Sequence, residues 1–360
     1  MDELVYGLKL IDRKKETSDS ATLIFEIGEE LIEQFKFTAG QFVTLHLMIN
    51  GKLVKRSYSL SSSPNDGSFN ITIKKIPGGV ASGFLVEELE VGKIIPMTPP
   101  AGIFTYTSKK VTTDNLVLVA AGSGITPMFS ILKTALPENK IVHLIYCNRN
   151  EDNIIFDTEL KDLDNKYSNF KVTHVLSQPN KACDGITGRA DKSVLTKLFQ
   201  EIDPKNAHYY MCGPVGLMDS VESAAKDLGV DRKQVHKEDF NPAVYENTPS
   251  EDSDDVFIGD LSDKAVAGNQ ITVVLNDETF DIEIDPKKTI LENLIEKDKN
   301  PPYSCMDGAC MACMAKVTSG LVSQDDPGIL TEESIADKEI LSCKAKLASK
   351  TATINFDDLF

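Results

Sequence analysis

The chain is short of basic residues. Its 360 residues include 38 Lys and Arg against 55 Asp and Glu, a formal net charge of −17. That balance argues against a nucleic-acid partner, because phosphate contacts need Lys and Arg in excess. Long hydrophobic runs are also missing. The longest uncharged stretch, Asn115 to Leu132, is broken by Ser123, Thr126, Ser130, two glycines and a proline, which makes it a poor membrane span. The opening residues, Met1 to Leu10, have neither a basic n-region nor an unbroken apolar stretch, so no signal peptide is expected. The seven cysteines are odd in number and not regularly paired, unlike a disulfide framework. A chain of this length can bury several cores without disulfides, and a reducing, cytoplasmic location fits. The histidines, His46, His143, His174, His208 and His236, show no ligand spacing and read as structural.

The length suits two or three domains. The negative charge is uneven: residues 246–360 hold 24 acidic and 10 basic residues, and residues 1–245 hold 31 and 28. An acidic C-terminal third fits either a docking face for a basic partner or a solubility feature. Residues 1–110 show short strands between turns, such as Ala21–Ile27, Gln41–Leu47, Arg56–Leu60 and Phe69–Lys74, which suggests a small antiparallel β-barrel. Residues 111–245 alternate apolar strands (Asn115–Ala121, Ile141–Cys147, Lys171–Leu176, Ala207–Cys212) with helices (Lys192–Phe199, Val215–Leu228), the pattern of a doubly wound α/β domain with a parallel sheet. Residues 246–268, rich in Asp, Ser and Gly, read as an acidic linker. Residues 269–360 open with a hairpin, Ile271–Leu275 and Thr279–Ile284. A capping box at Thr289–Glu292 then starts a short helix expected to turn Ile290, Leu291, Leu294 and Ile295 inward.

Cys305, Cys310, Cys313 and Cys343 have the spacing C-x4-C-x2-C…C, that of a plant-type [2Fe–2S] cluster. Four thiolates must converge on two irons, and three come from one tight loop in which Gly308, Ala309 and Ala312 let the backbone wrap close. A zinc site and plain buried thiols are the other readings, but structural zinc sites usually show two close cysteine pairs and here one is missing. Further upstream, Gly122-Ser123-Gly124-Ile125-Thr126-Pro127 follows an apolar strand and opens a helix, the place for a phosphate cradle. A plain tight turn is the other reading. The acidic residue expected about 20 positions later, which would bind a ribose 2′-OH, is missing. The next strand ends in Cys147-Asn148-Arg149, and Arg149 suits the extra phosphate of NADPH, with NADH as the alternative. Arg189 is a weaker candidate for the same role.

Arg56-Ser57-Tyr58-Ser59 resembles the flavin motif R-x-Y-S of the ferredoxin–NADP reductase superfamily, and Pro302 to Val317 resembles the cluster loop of plant-type ferredoxins. The resemblance implies FAD and NAD(P)H as cofactors and an α+β β-grasp ferredoxin domain at the C-terminus. It implies that Arg56 holds the FAD pyrophosphate, Tyr58 stacks on the flavin ring and Ser59 lies near flavin N5. Ser57 completes the motif. Gly78-Gly79-Val80-Ala81-Ser82 resembles the second pyrophosphate turn, with Ser82 expected as a helix N-cap, and Ala101-Gly102-Ile103-Phe104 the segment closing the barrel. Cys212-Gly213-Pro214 resembles the family's C-G-P beside the nicotinamide, although a buried structural thiol is the other reading of Cys212. Glu238-Asp239-Phe240 resembles its E-x-F ending, with Phe240 near the flavin. The domain order resembles the reductase components of multicomponent oxygenases, such as those of phenylacetyl-CoA epoxidases, ketosteroid hydroxylases and acyl-CoA desaturases. It implies hydride transfer from NADPH to FAD and single-electron delivery through the cluster to an iron-dependent oxygenase or hydroxylase, with the linker letting the ferredoxin domain move. A non-catalytic redox sensor is the reading from a different class.

Overall fold

The computed structural model describes residues 5–358 apart from 182–184, 239, 241–255, 264–267, 300, 304–305, 307, 309–311, 326–329 and 331. The chain divides into two compact units, Met1–Phe240 and Asn241–Phe360.

The first unit opens with six antiparallel strands, β1 (Tyr6–Lys15), β2 (Ser20–Glu26), β3 (Phe42–Ile49), β4 (Lys52–Ser59), β5 (Phe69–Lys74) and β6 (Ile94–Met97), in the order β4-β3-β6-β1-β2-β5. A short helix, α1 (Val80–Gly83), lies between β5 and β6. Alternation along the strands feeds one interior: Leu8 and Leu10 are buried, while Lys9 and Ile11 face out. Leu23, Phe25, Val43, Leu45, Phe69 and Ile71 complete that core. The bridge between Leu60 and Ile71 joins the chain just past β4 to β5, so the two edge strands meet and the sheet curls into a barrel.

The rest of this unit is a parallel sheet of β7 (Asn115–Ala121), β8 (Ile141–Asn148), β9 (Phe170–Leu176), β10 (Ile186–Thr187), β11 (Ala207–Cys212) and β12 (Val235–Glu238), in the order β10-β9-β8-β7-β11-β12. Helices α2 (Ile125–Ala135), α3 (Asp157–Lys166), α4 (Lys192–Gln200) and α5 (Val215–Asp227) connect the strands. Strand β7 is buried on both faces. Leu116, Leu118 and Ala120 pack with residues of α2 and α3, and Val117 and Val119 with residues of α4 and α5. A strand covered on both sides reads as a continuous apolar run, which is why its bounds are visible in the sequence. The strand order reverses between β7 and β11, and in such sheets ligands bind at the carboxyl ends beside that switch.

The second unit holds β13 (Val256–Gly259), β14 (Gln270–Leu275), β15 (Glu278–Glu283), α6 (Ile290–Glu296), β16 (Met314–Ser319), β17 (Leu321–Gln324), α7 (Glu332–Ala336), β18 (Glu339–Leu341), β19 (Ala345–Leu347) and β20 (Thr351–Asn355). They form a mixed five-stranded sheet, β15-β14-β20-β16-β18, and a three-stranded one, β13-β17-β19. The β14–β15 turn, Asn276-Asp277, takes left-handed φ values of 56° and 63°, as a two-residue hairpin requires. Two expectations change here. Part of the segment expected as a linker is strand β13, paired with β17, because Val256, Phe257 and Ile258 form a β-prone apolar run and Ile258 is fully buried. In α6 the capping box forms as expected, but Asn293 is buried and Ile295 only half-buried. The Asn293 amide bonds the backbone of Asp285 and Thr289, which satisfies the turn before the helix.

The parallel sheet also carries buried and half-buried histidines held neutral. His208 Nδ1 lies 3.0 Å from His236 Nε2, and the His236 ring stacks on Tyr210. Burial, with His208 and Lys110 nearby, pushes His236 down to about 4. Burial, with Lys171 nearby, does the same to His143. A depressed folded-state value means the unfolded chain takes up protons first. This stability is therefore complete above about pH 6.5 and is lost as pH falls toward 4. Unfolding of the holoprotein followed between pH 7 and 5 should show a loss on the order of 2 kcal/mol from each of His143 and His236. In His236→Gln that slope should be shallower; an unchanged slope would contradict the assignment.

Candidate functional site

Strand β4 carries Arg56-Ser57-Tyr58-Ser59 opposite Leu45, Thr44, Val43 and Phe42 of β3. The two-residue period puts Arg56 and Tyr58 on one face and Ser57 and Ser59 on the other. Ser57 Oγ lies 2.9 Å from Thr44 Oγ1, so its hydroxyl ties β4 to β3. Arg56 Nη1 donates to the Lys55 carbonyl at 2.8 Å. Burial raises the Tyr58 phenol well above its usual value, partly offset by the Arg56 guanidinium, so the ring stays neutral. Ser59 is 3% exposed, and its Oγ has no hydrogen-bond partner among the described residues. An orphan buried hydroxyl costs about 1–3 kcal/mol, and a flavin edge accepting from it would remove that cost. Arg56 and Tyr58 thus give one face of the strand a cation and a flat aromatic wall, which fits FAD, and Ser59 ends the strand with an uncommitted hydroxyl.

The turn before α1 corrects one expectation. Gly79, not Ser82, is the N-cap, and Ser82 lies inside the helix. Ser82 Oγ accepts from the Ile76 N–H at 3.1 Å and donates to the Gly79 carbonyl at 3.4 Å, so it holds the turn closed. Gly78 sits at φ +77°. Val80 is exposed, leaving the turn's backbone as its anion-facing chemistry.

At the switch point, β7 runs into Gly122-Ser123-Gly124 and then α2. Gly122 takes φ +53° with open space at its α-carbon, and the Tyr146 hydroxyl donates to its carbonyl at 3.0 Å. Gly124 has a different reason to be glycine: a methyl group there would overlap the Cys212 carbonyl oxygen. Thr126 Oγ1 donates to Ser123 O at 3.1 Å, and Thr126 and Pro127 are buried in the first turn of α2. Cys212 is fully buried at the end of β11 and pairs across to Glu238 of β12. Gly213 packs closely on Ala121, Pro214 caps α5, and Phe240 packs partly buried against the core that holds Cys212. Arg149 is exposed at the end of β8, and its Nε donates to Gln178 Oε1 at 2.9 Å. Arg189 is exposed beyond β10. All these candidates, Arg189 just past β10 included, follow or end strands at the carboxyl edge of one sheet.

A connection that the sequence reading missed ties this edge to the flavin strand. Ser61, Ser62 and Ser63 follow Ser59 and are almost fully buried. Ser130 Oγ, on α2, donates to the Ser62 carbonyl at 2.6 Å, and Thr134 Oγ1 donates to Ser63 Oγ at 3.1 Å. Lys133 pairs with Asp66 beside them. A run of serines after a flavin-type motif was the available signal, but only the fold gives those serines a partner.

In the second unit, Cys305 and Cys310 lie outside the described residues. Cys313 and Cys343 are buried, with Cys313 Sγ donating to Cys343 Sγ at 3.2 Å. The Gly308 N–H, at φ +72°, also points at Cys343 Sγ at 3.2 Å. Ser342 fixes the pair: its N–H and Oγ both donate to the Cys313 carbonyl, at 3.0 and 2.8 Å. The Leu291 N–H of α6 donates to the Ser342 carbonyl at 2.9 Å. Converging sulfurs with a backbone donor aimed at one of them suit an iron–sulfur cluster, which needs thiolates and N–H groups on its sulfurs.

The two glycines of the nucleotide turn make separable predictions. Gly124→Ala should push α2 off β11, lowering unfolding stability by about 1–3 kcal/mol and abolishing nucleotide binding. Gly122→Ala meets open space and strains only the backbone, at about 1 kcal/mol. Thermal unfolding with nucleotide titration checks both; equal effects would contradict the contact between Gly124 and Cys212.

Comparison with known proteins agrees with this geometry. Residues 7–106 match the oxidoreductase FAD-binding domain, residues 118–223 the oxidoreductase NAD-binding domain and residues 273–348 the 2Fe-2S iron-sulfur cluster binding domain. The ferredoxin reductase component of 3-ketosteroid-9-alpha-monooxygenase from Rhodococcus rhodochrous is 33% identical, over 95% of this chain and 94% of that protein. A component of the 1,2-phenylacetyl-CoA epoxidase of Escherichia coli is 29% identical, over 98% of each chain. Among solved structures, phthalate dioxygenase reductase shares the fold across 98% of both chains, with a TM-score of 0.57 at 23% identity. The chain therefore belongs to the ferredoxin–NADP reductase superfamily, as an oxidoreductase with FAD-binding, NAD-binding and C-terminal [2Fe–2S] domains.

Proposed function

We propose that this reductase takes a hydride from NADPH and supplies single electrons to an iron-dependent oxygenase or hydroxylase. The observation that carries the proposal is the bond from Ser130 to the Ser62 carbonyl, because it ties the helix behind the nucleotide turn to the end of the flavin strand. FAD, when bound, would supply acceptance of one hydride and release of its two electrons singly, which a [2Fe–2S] cluster would carry onward.

The residues hold and orient. The Arg56 fork would grip the FAD pyrophosphate, helped by the backbone of the Gly79–Ser82 turn. Neutral Tyr58 would be a wall for the ring rather than a proton donor. Ser59 Oγ would donate to the flavin edge. The Gly122–Pro127 turn would cradle the dinucleotide phosphates, and Cys212, Gly213, Pro214 and Phe240 would bound the nicotinamide pocket. Glu238, paired across from Cys212, places a carboxylate at the same edge. Arg149 favours NADPH over NADH. Cys305, Cys310, Cys313 and Cys343 would hold the cluster.

Named relatives point to different oxygenase partners. The ketosteroid reductase is 33% identical, the glycine betaine monooxygenase reductase from Pseudomonas aeruginosa 30%, and the epoxidase component 29%. Their shared feature is an oxygenase acceptor, which supports that class and no single substrate. The acidic C-terminal third favours an acceptor with a basic docking surface. A reducing, cytoplasmic setting suits chemistry that depends on thiols, and neither Cys147 nor Cys212 is in a disulfide. No described helix is long and apolar enough to cross a membrane.

Steady-state reduction of cytochrome c by the cofactor-loaded full chain tests the enzyme reading. NADPH should drive continuous turnover, and Ser59→Ala should slow it about tenfold or more while NADPH still binds. Absence of turnover with cofactors loaded would sink the reading in favour of a redox sensor.

A further inference from the structure

Cys343 stands in the turn that joins β18 to β19. The Lys344 N–H closes this turn by donating to the Leu341 carbonyl at 2.8 Å. The Leu341 N–H needs a partner from elsewhere. Leu341 is fully buried, and β18 is the outer strand of the five-stranded sheet, paired with β16 alone. Gln324 supplies the partner. It ends β17 in the other sheet, is 1% exposed, and accepts from the Leu341 N–H through Oε1 at 2.6 Å. The backbone beside it holds the far end of the turn. Gln324 pairs with Ala345 of β19, and the Asp325 N–H donates to the Lys344 carbonyl at 3.4 Å. The Gln324 side chain thus joins the two sheets across the residues that carry Cys343.

The amide can take one orientation only. An N–H donor is met by the carbonyl oxygen, so Nε2 faces away from Leu341. Nε2 is buried and has no hydrogen-bond partner among the described residues. An unpaired buried amide donor costs about 1–3 kcal/mol. A methionine of similar length would fill this space without that cost. Packing therefore does not account for the glutamine, whereas the bond to Leu341 does. The consequence reaches the sulfur. Leu341 lies two residues before Cys343 inside one closed turn, so a shift of its nitrogen carries the cysteine with it. Cys343 Sγ is where Cys313 Sγ and the Gly308 N–H converge, each at 3.2 Å. Hydrogen bonds to the sulfurs help set a cluster's potential, and the groups behind its ligands orient them. A displaced turn would lengthen the Gly308 contact.

We propose that Gln324 is a positioning residue for the fourth cluster ligand: by holding the Leu341 N–H it fixes Cys343 Sγ against the Gly308 N–H and so sets the reduction potential of the [2Fe–2S] centre. The inference rests on the reading of Cys343 as a cluster ligand.

The test uses the cofactor-loaded full chain and its Gln324→Met, Gln324→Glu and Cys343→Ser variants. Electron paramagnetic resonance of the reduced state reads the geometry at the irons. Redox titration reads the potential, and hydrogen exchange at Leu341 reads the bond itself. Gln324→Met should move the g values and speed exchange at Leu341 about tenfold. It should also lower the ratio of reduced to oxidised cluster at a fixed poise about three- to tenfold, because a weakened N–H bond stabilises the more negative reduced centre less. Gln324→Glu keeps an oxygen of the same reach and should restore the parent g values and the protection of Leu341. If Gln324→Met loads its cluster and keeps both g values and potential, the assignment is overturned. If Gln324→Met does not load, Gln324→Glu decides: g values that stay or move together with Leu341 protection support the assignment, and g values that part from it overturn it. The ligand reading fails separately. Cys343→Ser should shift the g values and visible bands; if both stay at parent values, Cys343 is not a ligand and the role of Gln324 falls with it.

Discussion

The first unit depends on one backbone contact, that of Gly124 with the Cys212 carbonyl at the switch point of the parallel sheet. Only a residue without a side chain lets the β7–α2 turn sit that close to the end of β11. The contact fixes where α2 starts and places the nucleotide turn beside the Cys212-Gly213-Pro214 segment. Because α2 is then fixed, Ser130 and Thr134 on its length can bond Ser62 and Ser63, and the flavin strand takes its position from the nucleotide turn. The two binding motifs are far apart in sequence, and this chain of bonds is what couples them.

The second unit solves a similar problem with hydrogen bonds. A cluster needs four sulfurs to converge, and sulfurs repel once ionised unless the backbone is held. Ser342 supplies that hold at the distant cysteine by clamping the Cys313 carbonyl twice, while α6 clamps Ser342 in turn. The Thr289–Glu292 capping box, which fixes the start of α6, therefore has a consequence at the cluster loop as well as for the helix.

Legibility in the sequence followed burial. Asn115–Ala121 and Ala207–Cys212 were bounded correctly because both faces of those strands are covered and their apolar runs are unbroken. Strand β4 begins at Lys52, earlier than the expected Arg56, because its first residues form an exposed hairpin arm paired by the Asn50-Gly51 turn and carry no hydrophobic alternation. Strand β13 was hidden by the acidic composition around it. Among the candidate binding residues, the cysteine spacing and the glycine turn stood out by their own chemistry, whereas Arg56-Ser57-Tyr58-Ser59 stood out only through its resemblance to the flavin motif. Ser61–Ser63 did not, since a polar side chain shows its purpose only when the fold brings its partner. The expected N-cap role of Ser82 failed for a related reason: a hydroxyl one turn into a helix bonds backward as easily as it caps.

The central claim is a single route for electrons from the nucleotide turn, through the flavin strand, to the cysteine loop. Anaerobic titration of the cofactor-loaded chain with NADPH, followed by visible absorbance and electron paramagnetic resonance, tests it most directly. The account predicts flavin bleaching together with the rhombic signal of a reduced [2Fe–2S] centre. Bleaching without that signal would contradict the route to the cysteine loop, and no bleaching with either NADPH or NADH would contradict the reading of Gly122–Pro127 as the nucleotide site.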